Sequence, residues 1–80
     1  MIVTEILDEI GLELRDFSKI SFSLSKKKVI FFPCSRVRTL KNRLKSLYRV
    51  HVETDGNCEI LKIYRKGYEI IFNMPCKEGK

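Results

Sequence analysis

The sequence predicts one small α+β domain in the order helix, β-hairpin, helix, three-stranded β-meander, with the helices packed on a mostly antiparallel sheet. Apolar residues recur at helical spacing in two stretches and alternate with polar residues in others, and strong turn signals separate the runs. Eighty residues leave room for one hydrophobic core, not two.

Ile2, Val3, Ile6, Leu7 and Ile10 fall on one side of a helix, with Glu5, Asp8 and Glu9 opposite and Gly11 as the expected stop. Ile20, Phe22 and Leu24 alternate with Ser21, Ser23 and Ser25, the period of a half-buried strand. Lys26-Lys27-Lys28 reads as a turn into a second strand, Val29 to Phe32, ended by Pro33 because proline cannot donate to a ladder. Ser35 is the expected N-cap of a helix over 36–48, in which Val37, Leu40, Leu44, Leu47 and Tyr48 share one arc.

Val50 and Val52 alternate with His51 and Glu53, and Asp55-Gly56-Asn57 is a hairpin turn, since Gly accepts positive φ. Cys58 to Tyr64 forms the next strand, Arg65-Lys66-Gly67 a second tight turn, and Tyr68 to Phe72 the last strand. Residues 1–76 are expected to form the domain and 77–80 a frayed tail.

No apolar run approaches the roughly 20 residues that cross a bilayer. The segment from Met1 to Glu5 lacks the basic start of a signal peptide, so a cytoplasmic location without membrane association is expected. Cys34, Cys58 and Cys76 are odd in number and widely spaced, which suits reduced thiols; one disulfide plus one free thiol is the alternative. The chain lacks Ala and Gln and is rich in Ile, Lys and Glu. That composition fits an archaeal or viral origin at high temperature, and equally an AT-rich genome.

The formal charge of +6 is unevenly distributed. Residues 1–18 carry five acids against Arg15 alone, residues 50–80 balance five against five, and residues 19–49 carry ten bases and no acid. Such segregation points to an anionic partner, with nucleic acid first among them and DNA favoured over RNA. The expected contacts are Lys26, Lys27 and Lys28 in the turn, with Arg36, Arg38, Lys41, Asn42, Lys45 and Arg49 on and around the second helix. Arg and Lys bind phosphates, and Arg and Asn can read guanine and adenine edges. The competing explanation is a solvated face whose long stems cover the core. The helix followed by strand–turn–strand resembles the recognition helix and wing of winged-helix proteins. Those domains place two further helices where this chain predicts a β-hairpin, so the chain is not assigned to them.

Other chemistry is weaker. Tyr64 and Tyr68 flank the second tight turn and could extend the basic surface by stacking on bases, whereas the phenylalanines are expected in the core. Tyr48, His51 and Lys62 could serve a small ribonuclease, and Asp55, Glu59 and Lys62 resemble the acids and lysine of metal-dependent nucleases. A single histidine and a turn-favoured Asp55 argue against both, so no catalytic residue, metal or cofactor is expected. Cys34, Cys58, Cys76 and His51 lack the paired spacing of zinc sites. The main rival function is a protein-interaction module, such as a viral or plasmid-encoded inhibitor that binds an acidic host surface. A homodimer paired through the strand from Tyr68 to Phe72 is a further expectation.

Overall fold

Helix α1, Ile2–Ile10, buries Ile2, Val3, Ile6, Leu7 and Ile10, the stripe that its spacing predicts. Gly11 ends it in the left-handed conformation (φ 72°). The amide of Gly11 donates to Asp8 O and that of Leu12 to Leu7 O, which satisfies the last carbonyls in a Schellman arrangement. The computed structural model to which this helix belongs describes residues 1–37 and 39–76; Arg38 and the expected tail at 77–80 lie outside the described residues.

A short 3₁₀ turn, Leu14–Asp16, is closed by a capping box between Glu13 and Asp16. It leads into β1, Phe17–Ser23, which begins earlier than the alternation from Ile20 suggests. A bulge between Phe17 and Lys19 lets Phe17 turn into the core. The chain then forms β2 (Lys28–Pro33), α2 (Leu40–Leu47), β3 (His51–Asp55), β4 (Cys58–Arg65) and β5 (Tyr68–Asn73).

The five strands form one sheet in the order β1-β2-β5-β4-β3. Three neighbouring pairs are antiparallel, but β2 and β5 run parallel, so the sheet is mixed rather than uniformly antiparallel. The cause is α2. It returns the chain to the end of the sheet from which β2 set out, so β3 starts in the direction of β2, and two hairpin reversals later β5 does too. The expected pairing of two copies through Tyr68 to Phe72 is corrected by the same topology. Strand β5 has neighbours on both sides, and the free edges belong to β1 and β3.

Helix α2 is shorter than the 36–48 span and does not start from Ser35. Residues after Pro33 instead turn tightly, with Val37 N–H donating to Cys34 O, and the Arg36 guanidinium reaches back to Arg15 O at 2.7 Å. Those contacts hold residues 34–37 in a turn.

Both helices cover one face of the sheet. Ile6, Ile10, Leu40 and Leu44 meet Val29, Phe31, Leu61, Ile63, Ile70 and Phe72, all essentially inaccessible. Phe31 stacks on Phe72 with ring centroids 4.8 Å apart and packs against Phe17 at 5.1 Å. Burying each such side chain stabilises the fold by about 1.5–3 kcal/mol. The other face bears no helix among the described residues. Its residues include Ile30, Phe32, Ile60, Ile71 and Lys62, all half-buried.

The β1–β2 and β4–β5 turns lie together at what we call the upper end, joined by Glu69 N–H donating to Lys27 O. The β3–β4 turn and the segment after β5 lie at the lower end, where Cys58 and Cys76 form a disulfide and Cys34 stays free. The expectation of three reduced thiols is therefore corrected, because β4 and the extension of β5 lie side by side and bring two distant cysteines together.

Candidate nucleic-acid interface

Helix α2 turns Leu40 and Leu44 to the core and leaves Asn42, Lys45 and Ser46 exposed. Arg49 is also exposed, just beyond its end. The helix contains no acid, and neither Lys45 nor Arg49 forms a salt bridge with any described residue. Its wall is thus positively charged and free.

Other bases expected at the interface serve the fold. Lys41 Nζ lies 3.0 and 3.1 Å from the two oxygens of Glu59, tying α2 to β4. Arg36 pairs with Asp16 at 3.5 Å and donates to a backbone carbonyl. Lys28 lies 3.7 Å from Glu69. Arg43, beside the same arc, donates to Ile10 O at 2.8 Å, where a cation favours the negative end of α1. Arg38 lies outside the described residues. A charge count cannot distinguish these engaged bases from free ones, since partners such as Glu59 and Asp16 are distant in sequence.

Lys26 and Lys27 remain at the tip of the β1–β2 hairpin, and Lys27 Nζ sits 5.5 Å from the ring centroid of Tyr68. Tyr68 in turn stacks on Phe22 at 6.0 Å, so this tip combines lysines with aromatic surface. The two basic clusters do not merge into one uninterrupted positive face. From Tyr68 the upper end passes to Lys66, bound to Glu5 at 2.6 Å, then to Arg65, bound to Glu9, and Glu9 also accepts from the hydroxyl of Tyr48, just past the end of α2. The acids of α1 therefore neutralise the bases between the clusters.

These contacts shift protonation. The bonded Lys66 holds the Glu5 carboxyl below its usual range, and Arg65 and then Tyr48 do the same for Glu9. Burial, reinforced by the bond to Glu9, pushes the Tyr48 hydroxyl up to about 12. Lys62 is raised by its bond to Glu53 and by Glu69, and stays charged.

A niche of about 360 Å³ opens where α2 meets β3, lined by Tyr48, Arg49, Val50, His51, Lys62 and Tyr64. Lys62, eleven positions beyond His51, is thus brought beside Tyr48 and His51. Tyr64 joins them with 71% of its surface exposed, and only its place beside a turn hinted at that. The Asp55, Glu59 and Lys62 set does not assemble, since Glu59 lies on the covered face and Lys62 on the open one. Among the described residues no group of His, Cys, Asp and Glu could hold a metal, and two of the cysteines are consumed by their disulfide. Of the phenylalanines, Phe31 and Phe72 fill the core as expected, whereas Phe22 is 39% exposed and Phe32 lies half-buried on the open face.

A larger cleft of about 620 Å³ at the lower end is lined by Phe32, Ile60, Met74 and all three cysteines, with Asp55 and Glu59 but no base. It offers a phosphate no cation among the described residues. No described helix is long and apolar enough to cross a membrane. No family model matches the chain, and it matches neither a curated protein nor a solved structure.

Proposed function

We propose that this chain is a small non-enzymatic nucleic-acid-binding protein, with DNA favoured over RNA, that uses the exposed wall of α2 and the lysine tip of the β1–β2 hairpin. The observation that carries the reading is the wall itself: Lys45 on a helix without carboxylates and Arg49 just beyond its end are exposed, without acidic partners among the described residues. Charges held this way release counterions when they meet phosphates. The non-enzymatic part rests on the chain's single histidine, His51, which leaves no pair of imidazoles for acid–base catalysis.

Titration of labelled duplex DNA, single-stranded DNA and RNA at several salt concentrations tests this. Binding through Lys45 and Arg49 alone gives a log–log salt slope near about −2, and adding Lys26 and Lys27 steepens it to about −3.6 on duplex. The double variant Lys45→Glu, Arg49→Glu should lose binding by at least about tenfold. Absence of binding to every probe at about 50 mM salt would sink the reading.

The half-buried apolar residues of the open face, Ile30, Phe32, Ile60 and Ile71, favour the second reading, a protein-interaction module or inhibitor. Charge reversal on α2 would leave binding through that apolar face intact, which separates it from the nucleic-acid reading.

A further inference from the structure

We propose that the niche between α2 and β3 holds one unstacked nucleotide of a single-stranded nucleic acid, its base against Tyr64 and its phosphate on Arg49. This deepens the nucleic-acid reading and rests on it.

Four features converge. The niche, at about 360 Å³, lies at the small end of ligand sites and suits a single nucleotide rather than the side of a duplex. Tyr64 stands 71% exposed on β4, so its ring fills no core, and an exposed aromatic beside cations is the usual platform for an unpaired base. Arg49 lines the same niche without a salt bridge to any described residue, while Lys62 is held by Glu53 at 3.2 Å and Glu69 at 3.8 Å. The phosphate charge therefore falls to Arg49, with Lys62 neutralised and His51 beside it as a hydrogen-bonding edge. Finally, β3 is an edge strand with every residue exposed, so a flexible backbone can run past the niche from Lys45 and Arg49. A duplex keeps its bases stacked and cannot present one to Tyr64.

Fluorescence anisotropy of labelled oligothymidylate and oligouridylate of about eight nucleotides, beside a duplex of equal length, tests the assignment. Tyr64→Ala should weaken single-strand binding about tenfold, Tyr64→Phe should retain it, and duplex binding should be unchanged by either. The oligothymidylate and oligouridylate arms separate DNA from RNA. If Tyr64→Ala binds single strands as wild type does, or loses single strand and duplex by one factor, the niche assignment is overturned. If Lys45→Glu, Arg49→Glu still abolishes binding in that case, the broader reading survives alone. If wild type binds no probe at low salt, both fail. Circular dichroism of Tyr64→Ala should match wild type, since the side chain is solvent-exposed.

Discussion

Phe31 and Phe32 are consecutive in sequence and lie on opposite faces of one sheet. Phe31 is fully buried between Phe17 and Phe72, under two helices. Phe32 sits half-buried on the open face, with Lys19 Nζ 5.6 Å from its ring. The covered face is uniformly apolar near its centre. The open face is crossed by a charge ladder, Lys28–Glu69–Lys62–Glu53, that runs over β2, β5, β4 and β3. Stability therefore concentrates on one side of the strands, and the other keeps half-exposed isoleucines.

The sharpest way to break this comparison is truncation on each face. Phe31→Ala should cost about 3–5 kcal/mol through the cavity it leaves, whereas Phe32→Ala should cost about 1 kcal/mol. Equal losses in urea unfolding would erase the distinction between the faces. The lower end provides the next effect. Removing the disulfide by Cys58→Ser with Cys76→Ser should cost about 3 kcal/mol, because the bond closes a loop of 18 residues in the unfolded chain. Cys34→Ser should change the unfolding midpoint little, and a comparable fall there would mean that its half-buried thiol carries the packing instead.

The smallest effects are pH slopes from the contact where α1, Tyr48 and Arg65 meet. The Glu9 carboxyl, held below its ordinary 4.5 by Arg65 and Tyr48, contributes stability that is present above 4.5 and lost as pH falls through its folded value. The Tyr48 hydroxyl, raised from 10.0 to about 12 by burial and Glu9, contributes stability that is present below 10.0 and lost as pH rises toward about 12. Thermal midpoints followed across pH should show a flatter alkaline limb in Tyr48→Phe and a flatter acid limb in Glu9→Gln. Slopes identical to wild type would remove this contact from the stability of the fold.

Features set by neighbouring residues were legible in the sequence. The bounds of α1 and its stop at Gly11 follow from apolar spacing and a left-handed position, both local. The turns at Gly56 and Lys66-Gly67, all at positive φ, are likewise written in their own residues. The shortened start of α2 was not, because Arg36 is drawn to Asp16 and Arg15, some twenty positions away. The candidate site divides the same way. The exposure of Asn42 and Lys45 follows from helical periodicity, whereas the place of Arg49 past the helix end and beside Tyr64, and the engagement of Lys41 by Glu59, depend on tertiary packing.

By itself the sequence determined an α+β chain, its turns, the apolar stripe of α1 and a surplus of positive charge in the middle third. Those properties depend on residues a few positions apart, where covalent geometry sets who meets whom. The tertiary structure alone decided that β2 and β5 run parallel, that Phe31 and not Phe32 is buried, that Cys58 finds Cys76, and which bases are neutralised. Each of these is a pairing across long stretches of chain. Its partner is chosen by sheet order and helix packing, which no local pattern encodes.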